Sequence, residues 1–203
     1  MKEIVSAVMD AVHSAGMVEV EVSARHVHLS QEHVELLFGP GAKLTHKRPL
    51  SQPGQFLAEQ RVTLIGPKGT KERVAVLGPA RSATQVELSR SDCMALGVEA
   101  PVRESGDVKG SGAITIQGPC GTLDLKEGVI IAHNHIHVTA PDSIRFNLKD
   151  KQRVSVAVMT ERPVVFKDVI IRVSTQFSCK MHIDVDEANA AMVHGFTLGK
   201  IIR

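Results

Sequence analysis

The stretch RHVHLS, residues 25–30, returns later in the chain as NHIHVT, residues 134–139. Each copy holds a His-x-His pair followed by an aliphatic residue and then a hydroxyl residue. On an extended strand, side chains two apart share one face at a backbone spacing of about 7 Å. From there two imidazoles can reach one metal ion through bonds of about 2.0–2.1 Å. A single His-x-His pair reads equally well as a solvated strand face. Its repetition favours a site.

The surroundings of the two copies also match. Ser30 and Thr139 are each placed to cap a short helix, over LSQEHVELLF and VTAPDSIRFNL. Further on, QRVTL at 60–64 is matched by QRVSV at 152–156, and VELSRSD at 86–92 by MHIDVDE at 181–187. Ser89 with Asp92, and Asp184 with Glu187, fit a capping box opening a helix. Three landmarks in one order indicate an internal duplication, the first copy carrying a longer loop with HKRPLSQPGQ.

The same alignment sets Glu87 at the position of His182. Each half then offers three ligands: His26, His28 and Glu87, and His135, His137 and His182. Three protein ligands with one position open is the pattern of a catalytic zinc site rather than a closed structural one. Imidazole and carboxylate suit Zn²⁺, with Co²⁺, Mn²⁺ and Fe²⁺ as alternatives. Glu87 alone would read as a solvated strand acid, so duplicated position, not residue type, singles it out. His33, His46, His133 and His194 have no counterpart in the other half and read as surface or supporting residues. In LGPARSATQVE, residues 77–87, Gly78 and Pro79 are expected to turn the chain and present Arg81 near the metals. Its planar fork suits a phosphate or a carboxylate. The Gly-rich turns GPKG, GSG and GPCG contain neither a P-loop nor a dinucleotide fingerprint.

At 203 residues and 43% hydrophobic content, the chain can build one large or two small packed domains. Its net charge of +2 with interspersed signs, and six Phe without Trp or Tyr, provide neither an electrostatic footprint nor a stacking surface for nucleic acid. Cys93, Cys120 and Cys179 are scattered and read as reduced thiols of an intracellular protein. No secretory signal or membrane-length apolar run occurs, so no membrane partner is expected. After an amphipathic helix over residues 1–15, ended by Gly16, the chain reads mostly as short strands: VEVEVSA, QRVTLIG, RVAVLG, AITIQG, GVIIAHNHIHVT, QRVSVAVM, DVIIRVS and KMHIDVD. That pattern predicts a mainly β fold, as barrels or a sandwich, with short capping helices.

The motifs SARHVHLS, LSQPGQFLAEQRVTLIGPKG, VLGPARSATQVELSRSD, AHNHIHVT and MHIDVDEANAA, in this order from residue 18 to the C-terminus, resemble the PduL-type phosphate acyltransferases (phosphotransacylases) of bacterial microcompartments and some fermentative pathways. The resemblance implies an enzyme interconverting acyl-CoA plus phosphate with acyl phosphate plus CoA. It implies two small β-barrel domains from the duplication, residues 25–132 with the first His-x-His, and 17–24 with 133–203 carrying the second. Two Zn²⁺ lie between such domains, one on His26, His28 and Glu87, the other on His135, His137 and His182. Arg81 falls on the phosphate-holding arginine, and coenzyme A contacts are expected at Ser23, Gln55 and Asn189. The resemblance further implies a homodimer in the bacterial cytoplasm, inside a microcompartment lumen. Residues 1–16 would then serve as an encapsulation peptide for shell or cargo, Gly16 uncoupling them from the barrel, with a structural cap packed on the protein's own barrel as the alternative. Propanoyl and acetyl groups differ by one methylene, about 1–3 kcal/mol in an apolar pocket, and leave no motif. On the residues alone, a dinuclear zinc hydrolase of thioesters or phosphoesters and a non-catalytic metal-binding barrel stay open.

Overall fold

The computed structural model describes residues 2–202. Helix α1 (Lys2–Ser14) leads into β1 (Met17–Ser23), and β2 (His26–Ser30) carries the first His-x-His into α2 (Gln31–Phe38). Strands β3 (His46–Pro49), β4 (Phe56–Ile65), β5 (Thr70–Arg81) and β6 (Gln85–Glu87) follow, then α3 (Arg90–Leu96), β7 (Val102–Arg103), β8 (Gly112–Gln117) and β9 (Thr122–Ala132). The second half has β10 (His135–Val138), α4 (Ala140–Phe146), β11 (Arg153–Val158), β12 (Val164–Val173), β13 (Lys180–Asp184), α5 (Val185–Ala190) and β14 (Thr197–Ile202).

Two compact units result: Ala24–Ala132, and Met1–Ser23 with His133–Arg203. In the first, β4, β5, β2, β6, β9 and β8 pair in that order and β8 returns to β4, closing a six-stranded barrel. In the second, β1, β13, β10, β12, β11 and β14 close a barrel of the same size. Parallel and antiparallel pairings coincide strand for strand. The His-x-His strand is parallel to one neighbour (β5 or β12) and antiparallel to the other (β6 or β13). The register coincides as well: Ala75 pairs with both His26 and Arg61, as Ile170 pairs with both His135 and Arg153. In each half, the strand just before the His-x-His strand joins the other unit's barrel. β1 closes the barrel of β10, and β9 closes the barrel of β2.

Alternation explains how the site strands are held. Val27 and Leu29 enter one core and Ile136 and Val138 the other, all 0% exposed. Period two sends the intervening histidines to the opposite face. Ser30, Thr139, Ser89 and Asp184 cap α2, α4, α3 and α5, each accepting from the backbone N–H three residues on. Only Asp184 with Glu187 completes a capping box. At Ser89 just the hydroxyl half forms, because the buried Asp92 carboxylate takes Arg25 Nε at 2.9 Å and Lys71 Nζ at 3.3 Å.

Some local expectations give way. The segment GVIIAHNHIHVT is not one strand: it breaks at His133 and Asn134, where the chain passes from β9 in one unit to β10 in the other. Gly78 and Pro79 do not turn the chain; they lie inside β5, where the pairing with β2 jumps from His28–Leu77 to Ser30–Arg81. Two extra residues on β5 bulge there and re-aim Arg81. Strand β14, which closes the second barrel, has no strong sequence signal because Gly199 and Lys200 interrupt its apolar run. Nor does Gly16 (φ +71°) uncouple α1, since His13 meets the Phe146 ring edge-on with centroids 5.8 Å apart and Asp10 pairs with Arg145 on α4 at 3.2 Å.

Candidate metal centres

In the first barrel β2 and β6 pair antiparallel with His26 opposite Glu87. His26 Nε2 lies 3.4 Å from Glu87 Oε2, and His28 Nε2 lies 3.9 Å from Glu87 Oε1. In the second barrel β10 and β13 pair with His135 opposite His182, and the three imidazole centroids of His135, His137 and His182 are 4.7–5.2 Å apart. Within each trio the ligand atoms lie within 4.8 Å of one another. The duplicated register therefore places Glu87 where the other barrel has His182.

One device orients both leading histidines. His26 Nδ1 is 2.8 Å from Ala24 O, and His135 Nδ1 is 2.8 Å from His133 O. A carbonyl oxygen only accepts, so Nδ1 carries the proton and Nε2 presents its lone pair to the cluster. His28 and His137 are 3% and 7% exposed, and His28 Nδ1 makes no hydrogen bond. Buried imidazoles that converge on a carboxylate or on one another are the donors a cation takes up. These donor sets fit a divalent cation of zinc's kind.

Burial opposes charge on His26, but the adjoining Glu87 carboxylate outweighs it and raises the imidazole above its usual range. His28 is pushed well below that range by burial, then by the charges of His26 and Arg81. Burial would raise Glu87; His26 and His28 overcome it and hold the carboxyl far below ordinary carboxylates. The two imidazoles thus favour the anionic form of Glu87, the form a metal ligand takes.

Arg81 reaches this cluster through Ser105. Arg81 Nη1 donates to Ser105 Oγ at 3.2 Å, and the Ser105 hydroxyl donates to Glu87 Oε1 at 3.1 Å. Gln85 Nε2 donates to both Ser105 Oγ at 2.8 Å and Glu87 Oε1 at 2.6 Å, while Gly106 N–H donates to Gln85 Oε1 at 2.7 Å. Sequence reading missed Ser105, which lies on a loop with no motif and no counterpart in the second copy. It also missed Glu21, which β1 brings opposite His182 with Oε2 3.7 Å from His182 Nδ1, and Phe177, stacked on His137 at 3.9 Å. In VEVEVS, Glu21 reads as the solvated half of an alternating strand.

The other sequence candidates belong to neither trio. Ser23 ends β1 opposite Asp184, the cap of α5, and exposed Asn189 lies on that helix; Gln55 sits in the turn before β4 of the other unit. His33 bonds Thr84 Oγ1 at 2.7 Å, His133 lies 3.3 Å from Asp168 Oδ2, and His46 and His194 are exposed. Burial, with Asp142 nearby, pushes the Cys179 thiol up to about 12, which leaves it inert as a nucleophile.

The phosphate propanoyltransferase family model matches residues 19–194. A phosphate propanoyltransferase of Clostridioides difficile (strain 630) is 48% identical over 203 residues, covering 100% of this chain and 97% of that protein. One from Thermotoga maritima is 52% identical over 176 residues, covering 86% and 84%, and one from Alkaliphilus metalliredigens is 50% identical over 186, covering 92% and 88%. With the family model matching residues 19–194 and such identity over the length of the chain, the chain belongs to the phosphate propanoyltransferase family and is a phosphate acyltransferase.

Proposed function

We propose that this enzyme interconverts acyl-CoA, with propanoyl or acetyl as the acyl group, plus phosphate with acyl phosphate plus CoA, using one zinc ion on each imidazole cluster. The observation that supports this reading best is Arg81 tied through Ser105 to the ligand Glu87. An anion-binding fork and a metal ligand held by one hydroxyl are set to act on one small anion. Bound at these clusters, zinc supplies Lewis acidity toward a thioester carbonyl and a soft partner for a thiolate.

The chain's own residues do the rest. Arg81 presents a rigid fork to the phosphate oxygens and orients one of them toward the acyl carbon. Phosphate is already anionic, so it attacks without a general base, and the carbon–sulfur bond breaks as the carbon–oxygen bond forms. Ser105 and Gln85 hold Glu87 in one rotamer and Arg81 in reach. No protein nucleophile takes part. Ser23, Gln55 and Asn189 are proposed to contact coenzyme A. The half of α1 with exposed Ile4 and Val8 is proposed to meet a microcompartment shell or a cargo enzyme.

In an Arg81→Lys variant, the phosphate KM should rise about tenfold to a hundredfold while the acyl-CoA KM stays near its original value. That range follows from losing one charge-assisted hydrogen bond, about 1.5–3 kcal/mol. The reverse ratio would assign Arg81 to coenzyme A instead. Consumption of acyl-CoA by the unaltered enzyme must require phosphate; release of CoA without it would indicate hydrolysis.

A further inference from the structure

A third cluster of metal-ligating side chains, sharing no residue with either imidazole site, lies where α1 meets its own barrel. His13 of α1, Asp142 of α4 and Cys179, just before β13, bring their ligand atoms within 4.8 Å of one another. The side chains of His13 and Asp142 are 12% and 11% exposed, and Cys179 is 8% exposed. His13 Nδ1 lies 3.6 Å from Asp142 Oδ1, longer than a hydrogen bond, and buried His13 Nε2 has no hydrogen-bond partner. As bare side chains these form a poor set: the imidazole loses its water without gaining a partner, a cost of about 1–3 kcal/mol.

We infer that His13, Asp142 and Cys179 form a third metal site, for zinc or another divalent cation of similar borderline softness. Nitrogen, oxygen and sulfur donors are the ligands such an ion takes, at about 2.0–2.3 Å. Tetrahedral bonds of that length set donors slightly closer than they lie now, so small rotamer shifts suffice. Binding forms the metal–sulfur bond with loss of the thiol proton to solvent. Arg145, which donates to Asp142 Oδ1 at 3.2 Å, is the competing cation; it also pairs with Asp10 at 3.2 Å and can transfer to it. Asp142 keeps its second oxygen on the Thr139 hydroxyl at 2.7 Å, which orients the carboxylate.

The role follows from α1 itself. An isolated helix of 13 residues is marginal in water, and this one leaves Ile4 and Val8 exposed. A metal joining His13 to the barrel fixes its last turn, reinforcing the contacts of His13 with Phe146 and of Asp10 with Arg145.

This inference does not rest on the reading of the two imidazole clusters, and its test separates the two. Among the nine ligands proposed at the three sites, Cys179 supplies the sole thiolate. The full-length enzyme, stripped and reconstituted with Co²⁺ alone, should show a near-ultraviolet thiolate-to-cobalt charge-transfer band. Cys179→Ser should lose that band and one equivalent of cobalt per chain, with acyl transfer unchanged. His13→Ala, altered on a helix outside the barrel, should lose the same equivalent even if Cys179→Ser folds poorly. A cobalt enzyme without the band, or one whose band and cobalt content survive in both variants, overturns the inference. A single cobalt with the band present would instead sink the zinc assignment at the imidazole clusters and leave this one standing.

Discussion

His26→Ala and His135→Ala, made separately, are each expected to lose the metal of their own trio, to keep that of the other trio, and to lose at least about a thousandfold in kcat. The first part follows from topology. His26 belongs to the unit Ala24–Ala132 and His135 to the other, and each trio draws all three of its ligands from its own unit. The second part follows from magnitudes. A cation at a reacting carbonyl supplies several kcal/mol, and each 1.36 kcal/mol is tenfold in rate. Removing the leading histidine also removes a ring whose tautomer a backbone carbonyl fixes, at 2.8 Å in both barrels. In the first barrel the loss extends to Glu87, whose depressed pKa depends on its imidazole neighbours. The measurement pairs elemental analysis with steady-state turnover on the same preparations. Full turnover by either variant would show its trio to be structural.

Several features of this architecture were written locally and so were legible. The His-x-His pairs need only the period-two rule, and the caps Ser30, Thr139 and Asp184 need only their own first turn. The correspondence of Glu87 with His182 needed both copies; neither residue signals a ligand alone, and the register places them identically opposite His26 and His135. What stayed hidden depends on distant parts of the chain. Ser105 contacts Glu87 from 18 residues away, and Arg145 contacts Asp10 from 135. The bulge that aims Arg81 was misread as a turn because Gly-Pro punctuates turns far more often than it sits within a twelve-residue strand. Strand β14 pairs with β11 and with β1 near the other end of the chain, and pairing with so distant a strand leaves no local trace.

The glycine-rich turns, which matched no nucleotide-binding fingerprint, carry the other large expected effect. GPKG at 66–69 and GPCG at 118–121 are hairpin turns closed by Gly66 N–H to Gly69 O and Gly118 N–H to Gly121 O, both 2.9 Å. The third residue of each turn then donates to a helix end: Lys68 N–H to Leu96 O of α3, and Cys120 N–H to Leu37 O of α2, both 3.0 Å. The turns thus satisfy carbonyls that have no partner within their own helices. This approach leaves no room for a side chain. A Cβ on Gly66 would lie 2.2 Å from Leu96 O, and one on Gly118 would lie 2.3 Å from Leu37 O. Both obstacles are backbone atoms of helices anchored by fully buried leucines, so neither can swing aside as a flexible side chain would. Gly66→Ala and Gly118→Ala should therefore each lose the helix-end hydrogen bond, about 1 kcal/mol, and add steric strain of about 1–3 kcal/mol. Gly54→Ala is the control: its φ of +76° carries a conformational penalty, but nothing lies within 4 Å. That penalty alone is about 1–2 kcal/mol. Urea unfolding of the three variants should rank Gly66→Ala and Gly118→Ala well below Gly54→Ala. If either turn variant matched the unaltered protein in midpoint, the helix ends would have to be movable, and α2, which begins directly after the His28 strand, could not be regarded as fixed by its far end.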